Sequence, residues 1–231
     1  MSHHFHFIPV RQEISSRAAT VSLPATVART IHLPLDPRGN PVHVTAVPIV
    51  LASASPRRRE LLERAGVLFE VVVSPAEEIH DASLKPEVLC ELNAVLKATA
   101  IAEQRPDATV IGSDTLVFID GQPLGKPVDL EEARGMLRRL AGRTHRVCTG
   151  VCVIFPSGAK KVFHGITEVD FLPLEEAEID AYFARVNPLD KAGAYGIQEH
   201  GERIVAGIRG SFDNVMGLPV DKVVEALATP L

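Results

Sequence analysis

The chain has no cysteine framework. Cys90, Cys148 and Cys152 are odd in number and contain no C-x-x-C. Cys148 and Cys152 share one face of a strand-like run, so the three read as reduced core thiols of a cytosolic protein rather than as metal ligands. Long apolar runs are missing too. No stretch reaches the ~18 residues that a bilayer crossing needs, and the N-terminus lacks the apolar core of a signal peptide. A soluble, cytoplasmic protein with no membrane partner is expected. Nor is there an excess of positive charge: 24 Lys and Arg against 29 Asp and Glu leave a net charge of −5. That balance opposes the spread positive field that a phosphate backbone demands, so no stable nucleic-acid partner is expected and basic residues must act locally. A Walker A loop is absent as well, since Gly121 stands one residue too close to Gly125-Lys126 and Pro127 replaces the hydroxyl residue.

With 46% apolar residues in 231, the chain can bury one substantial core or two small lobes around a cleft. Residues 1–46 carry scattered Pro, Thr, Ser and His with no sustained period. They read as an N-terminal extension, mobile or added as a leader, and His3, His4 and His6 read as tail residues rather than a metal site. The folded domain is expected over 47–231, where strands and helices alternate. Strands are predicted over 47–51, 68–73, 109–119 with a break at Ser113-Asp114, 144–155, 160–171 and 203–208. Asp120-Gly121 is a two-residue hairpin turn, so the sheet is at least partly antiparallel. Helices are predicted from Pro56 to a stop at Gly66, over 86–104, from an Asp129/Glu132 capping box to Gly142, and over 174–185 and 219–228. In the third helix Leu130, Ala133, Leu137 and Leu140 form the expected buried stripe. The fold class that follows is α/β, with a mixed, long-stranded sheet and flanking helices.

One segment breaks a helix rule. After the apolar run, Ser53-Ala54-Ser55-Pro56-Arg57-Arg58-Arg59 puts three arginines at a helix N-terminus. Ser55 is the expected N-cap and Pro56 the first helical residue. That end already carries the positive pole of the helix dipole and unpaired N–H groups, so cations there repel it unless an anion joins them. Strand, short turn, helix N-terminus and guanidinium forks are the parts of a phosphate cradle. In such a cradle Arg58 is expected to be an exposed first-turn residue that binds phosphate and contributes little to stability; the alternative is a solvated basic helix start, with the arginines splayed into water.

Five more positions carry candidate chemistry. Asp114 interrupts an apolar strand, which is expensive for a carboxylate unless something binds it; capping a turn is the bland alternative. Glu77-Glu78 ends a neighbouring strand. Glu78 with Asp114 is the candidate metal pair for Mg²⁺ or Mn²⁺, against a solvated acidic loop shared with Asp81. Lys97 lies in an apolar helix stripe, the usual place of a snorkelling surface lysine, and Lys126 sits between Gly125 and Pro127, where backbone approaches a ligand closely. Gln198 ends a glycine-rich loop with Tyr195, and its amide suits a nucleobase edge or simply the loop's own backbone.

These segments together resemble the Maf family of nucleoside triphosphate pyrophosphatases. The opening Ser-x-Ser-Pro-Arg-Arg-x-x-Leu-Leu is followed in the family's order by Glu77-Glu78, Lys97-Ala98, Gly112-Ser113-Asp114-Thr115, Leu124-Gly125-Lys126-Pro127, residues 191–198 and residues 210–219. The resemblance implies an inosine triphosphatase-like fold of two lobes around a central cleft, a metal-dependent hydrolysis of (d)NTPs to NMP and pyrophosphate, and a possible homodimer. It implies Asp114 as general base, with Glu78, Lys97 and Lys126 as catalytic groups. Ser53, Ser55, Arg57, Arg58, Thr115 and Gln198 are implied as substrate-binding residues. Arg57, Thr115 and Gln198 side with the branch acting on dTTP, UTP or modified pyrimidine nucleotides. The branch associated with 7-methyl-GTP has an aromatic in place of the first arginine and no Gly-Ile-Gln. Two departures stand out: Glu199 where glycine is usual, and Asn93 where the helix normally has alanine. Two rival readings are a non-catalytic regulator of septum formation and a pyrophosphatase for deaminated purine nucleotides.

Overall fold

A computed structural model describes residues 47–229; the extension over 1–46, its histidines included, lies outside the described residues. The chain enters the fold as β1 (Ile49–Leu51) and turns through a short loop into α1 (Pro56–Arg64). Pro56 occupies the start of that helix, as expected, but the Ser55 side chain makes no capping bond. Strand β2 (Glu70–Val71) pairs parallel with β1 and is shorter than predicted, because residues 72–80 leave the sheet to run toward α2 (Pro86–Ala102).

The longest strands form the spine. β3 (Thr109–Ile119) is continuous, and the expected break at Ser113-Asp114 does not occur: Ser113 pairs with Val151 and Asp114 with Gly150 on β5 (Thr144–Ile154). The Asp114 carboxylate leaves the sheet face and finds partners on α2, so the backbone keeps its ladder. Asp120 and Gly121, both with positive φ, turn β3 into β4 (Gln122–Leu124), as the hairpin reading anticipated. β6 (Lys160–Phe171) pairs antiparallel with β5, and β7 (Val205–Arg209) with β6. The result is a seven-stranded mixed sheet in the order β2-β1-β3-β5-β6-β7, with β4 on β3.

Helices cover both faces. Side chains alternate along a strand, so Val110, Gly112, Asp114, Leu116 and Phe118 share one face, and Ile111, Ser113, Thr115, Val117 and Ile119 the other. The first face receives α2, whose buried side between Leu89 and Ile101 carries the smaller residues Cys90, Asn93, Ala94 and Ala98. A Cβ at Gly112 would lie 2.3 Å from the Ala94 carbonyl oxygen, and one at Gly150 would lie 2.4 Å from the Cys90 carbonyl. Helix backbone thus rests directly on the sheet. The second face divides into two cores. One gathers Leu51, Leu61, Leu62 and Ile111 with Met216 of α5 (Phe212–Met216) and Val223 of α6 (Val220–Ala228). The other gathers Val117, Ile119 and Val169 with α3 (Leu130–Leu140) and α4 (Glu176–Phe183). In α3 the buried stripe is Ala133, Met136, Leu137 and Leu140, whereas Leu130 in the first turn is exposed. The Asp129 carboxylate does cap α3, accepting from the Glu132 N–H, but Glu132 itself caps the Val128 N–H.

A gap in the sheet prepares the site. β1 pairs with Thr109–Ile111 and β4 with Val117–Ile119 on the edge of β3 that β5 leaves free. Between them that edge of β3 has no strand neighbour among the described residues, and a cleft opens there, outside the carboxyl end of β1.

Candidate active site

The cleft has a volume of about 680 Å³ and is lined by the β1–α1 loop, the 73–80 segment, Lys97, Asp114, Thr115, Lys126, the 190–198 loop and Val215–Gly217. Every position named as a candidate from the sequence lines it: Ser53, Ser55, Arg57, Arg58, Glu78, Lys97, Asp114, Thr115, Lys126 and Gln198.

A charge cluster lines the cleft, with Asp114 buried, Lys97 largely covered and Glu78 exposed. The Lys97 Nζ donates to Asp114 Oδ1 at 2.7 Å and lies 2.6 Å from Glu78 Oε1. Its side chain is only 13% exposed, so it does not snorkel to the surface. The second oxygen of Asp114 accepts from the Asn93 amide at 3.1 Å. Asn93 is itself buried, and its amide also accepts from the Ile79 N–H at 2.7 Å and donates to the Ile79 carbonyl at 3.1 Å. One side chain therefore ties the Glu78 loop to Asp114. The sequence marked Asn93 only as a departure; a polar residue on a buried helix face was the available signal.

The arginines separate in role. Arg58 does not project into water: its guanidinium donates to the Gly217 carbonyl at 2.8 Å, to Ser53 Oγ at 3.2 Å and to Thr115 Oγ1 at 2.9 Å. The expectation of an exposed first-turn residue is therefore corrected. Burial lowers its pKa, with the Asp114 charge acting the other way. Ser53 also accepts from the Ser55 N–H, so the hydroxyl that orders this loop is Ser53 rather than the expected cap Ser55. Thr115 bonds to Thr149 across the β3–β5 pair. Arg57 stays in the cleft, 3.8 Å from Asp190 and 4.0 Å from Glu199.

Lys191 is buried and meets Asp190 at 2.7 Å and Glu199 at 3.2 Å, so the departure Glu199 has a partner in this cleft. The Asp190 pKa is lowered although burial opposes it, because Lys191 and Arg57 hold its charge. Gln198 is exposed, with a long contact of 3.5 Å to Glu60. Lys126 is exposed and has no ion-pair partner among the described residues.

Glu78 and Asp114 suit a hard divalent cation. Both present carboxylate oxygens to a single positive centre, the Lys97 ammonium, and Mg²⁺ accepts one or two carboxylates with water and phosphate completing its shell. Among the described residues no group of three or more His, Cys, Asp and Glu gathers in a metal-binding arrangement, so substrate oxygens would have to complete such a site. The cysteines lie elsewhere: all three are buried and free, and Cys90 donates to the Cys148 carbonyl. Contact with Cys148 and burial raise the Cys90 thiol, which stays protonated and inert.

Comparison with known proteins bears on the family and the fold. The sequence model of the family described as Maf-like protein matches residues 48–229. The chain is 53% identical over 180 residues to a dTTP/UTP pyrophosphatase of Akkermansia muciniphila, covering 78% of this chain and 95% of that one. It is 48% identical over 179 residues to a dTTP/UTP pyrophosphatase of Bacillus velezensis, covering 78% and 94%. Among solved structures, a HAM1 protein from Coxiella burnetii superposes with a TM-score of 0.50 over 79% of this chain and 99% of its own, at 15% identity, a likeness of fold alone. No helix among the described residues is long and apolar enough to cross a membrane. With a family match that spans nearly the whole described region and relatives about half identical, the chain belongs to the Maf family.

Proposed function

We propose that the chain is a nucleoside triphosphate pyrophosphatase that acts on dTTP, UTP or modified pyrimidine nucleotides in the cytoplasm and releases the monophosphate and pyrophosphate. The observation that carries this reading is the meeting of Asp114, Lys97 and Glu78 at one end of a cleft whose other end holds Arg57 and Gln198. The names of the two relatives support the substrate class. The triphosphate would lie toward Lys97 and Lys126, whose charges offset its own. Arg57 and Lys191 are already engaged by Asp190 and Glu199, so they offer the phosphates less free positive charge than Lys126 does, which leaves that part of the cleft to the base.

In this reading Asp114 accepts a proton from water as the water oxygen bonds to phosphorus and the bond to the bridging oxygen breaks. Lys126 and Lys97 stabilise the charge that grows on the departing pyrophosphate, a form of electrostatic help that is typically the largest catalytic contribution. Glu78 and Asp114 would hold Mg²⁺ or Mn²⁺, which when bound supplies further positive charge to the phosphates. Asn93 keeps the Asp114 carboxylate turned toward Lys97. A pure regulator has no need for a general base beside such a cation.

The test is pyrophosphate release from dTTP, UTP, CTP, GTP, ITP and 7-methyl-GTP with Mg²⁺, Mn²⁺ or EDTA. The expected result is turnover of dTTP and UTP at least about tenfold above the purines in kcat/KM, lost with EDTA. No release from any nucleotide would instead favour a non-catalytic nucleotide-binding role, and preference for ITP the purine pyrophosphatase alternative.

A further inference from the structure

The loop that carries Gln198 is fastened at Gly196. Tyr182, on α4, is fully buried in the core, and its hydroxyl meets both backbone polar groups of Gly196. It accepts from the Gly196 N–H at 3.1 Å and donates to the Gly196 carbonyl at 3.3 Å. A single phenol thereby takes the place of a strand neighbour for a buried residue of an irregular loop. Space beside Gly196 is taken up as well: a Cβ there would lie 2.9 Å from Lys191 Cε and 3.2 Å from Glu199 Oε1, so those side-chain ends would have to shift. The Lys191–Glu199 ion pair therefore packs over the same α-carbon. Burial pushes the Tyr182 phenol up to about 12, so its O–H remains a donor at working pH.

We propose that Tyr182 is a positioning residue for base selection, holding through Gly196 the backbone from which Gln198 projects two residues later. The proposal rests on the reading that Gln198 faces the nucleobase. Removal of the hydroxyl leaves the buried Gly196 N–H unpaired, while the Gly196 carbonyl keeps the Glu199 N–H at 3.0 Å, and the loop relieves that cost by turning the peptide toward water. The Lys191 and Glu199 side chains do not compensate, because they are engaged with each other, with Asp190 and with the Asn187 carbonyl rather than with the Gly196 N–H. The effect falls on discrimination rather than on chemistry. Among the described residues Tyr182 bonds to none of Ser53, Lys97, Asp114 and Lys126.

The experiment compares Tyr182→Phe, Gln198→Ala and the double variant of the full chain, with kcat and KM for dTTP and GTP and the thermal midpoint of each. Tyr182→Phe removes one oxygen and keeps the ring in the core. Its kcat on dTTP is expected to stay within about threefold of wild type, while the dTTP-to-GTP ratio of kcat/KM falls about five- to thirtyfold. The double variant should lose little more than Gln198→Ala alone, since both act on one contact. A ratio that is unchanged in Tyr182→Phe but falls in Gln198→Ala overturns the positioning role and leaves base reading by Gln198 intact. A ratio unchanged in Gln198→Ala removes base reading and the positioning role together. Equal losses on both nucleotides with a lowered midpoint would make Tyr182 a core residue only.

Discussion

Lys97 and Asp114 meet at 2.7 Å because helix α2 lies directly on the sheet above Gly112 and Gly150. The two glycines sit beside and opposite Asp114 on adjacent strands, and no side chain separates the helix from the strand. The charge cluster is thus a consequence of close packing between backbone elements, and of Asn93 on the same helix.

Gly112→Ala tests that dependence. The new Cβ would lie 2.3 Å from the Ala94 oxygen and 2.7 Å from the Ala98 nitrogen, both helix backbone that cannot swing aside. The expected loss is at least about 1–3 kcal/mol of stability, with a fall in kcat as Lys97 moves away from Asp114. Gly135→Ala is the control: that glycine lies within α3 with nothing within 4 Å of the added carbon, so the change should stabilise by about 0.5–1 kcal/mol. Denaturant midpoints of the two variants should move in opposite directions.

Arg58→Ala should cost stability as well as substrate affinity. It deletes three side-chain bonds, leaving the Gly217 carbonyl with only hydroxyl donors, from Ser113 at 3.2 Å and Thr115 at 3.5 Å. A loss of about 2–4 kcal/mol is expected, since bonds to a charged group are the stronger kind. Arg58→Lys should recover little of it, because an ammonium cannot reach three acceptors as a planar fork does. A thermal midpoint equal to wild type in Arg58→Ala would make the guanidinium a substrate ligand alone.

The difference between Arg57 and Arg58 shows where the sequence stops. The helix rule located a cluster of cations at an N-terminus, but whether a given arginine turns inward depends on the Gly217 carbonyl, 159 residues further on. No local pattern contains that distance. Similarly, Asp114 was legible as an anomaly in an apolar run, yet the break predicted from it is absent. Its partners Asn93 and Lys97 arrive from another element and satisfy the carboxylate without disturbing the strand. The Asp120-Gly121 turn and the Asp129 cap were legible because their physics is local. Helix α5, of five residues, was too short to show a period. The two-residue β2 is similarly brief, with both residues exposed.

His145 supplies a pH prediction. It is buried, its Nε2 is 2.8 Å from the Tyr195 hydroxyl, and its Nδ1 has no partner among the described residues. Burial lowers its pKa to about 4, with Asp170 opposing. Below pH ~6.5 the unfolded chain takes up a proton that the folded chain refuses until about pH 4. Stability should therefore fall as pH drops through that window, by up to about 3 kcal/mol from this residue. His145→Phe should flatten the pH dependence of the urea midpoint between pH 4 and 6.5. An unchanged slope would mean that another group sets it.

The central claim is that Asp114 is the base of a nucleotide pyrophosphatase, and Asp114→Asn tests it most directly. The substitution keeps the shape of the side chain but removes its charge and its capacity to take a proton. Pyrophosphate release from dTTP gives kcat, and calorimetry with the non-hydrolysable α,β-imido analogue gives affinity. A fall in kcat of at least ~10²-fold is expected, with affinity largely retained because Lys97 and Lys126 still line the end of the cleft proposed for the phosphates. A variant that keeps more than about a tenth of wild-type kcat would contradict it, and Asp114 would then be a structural partner of Asn93 and Lys97.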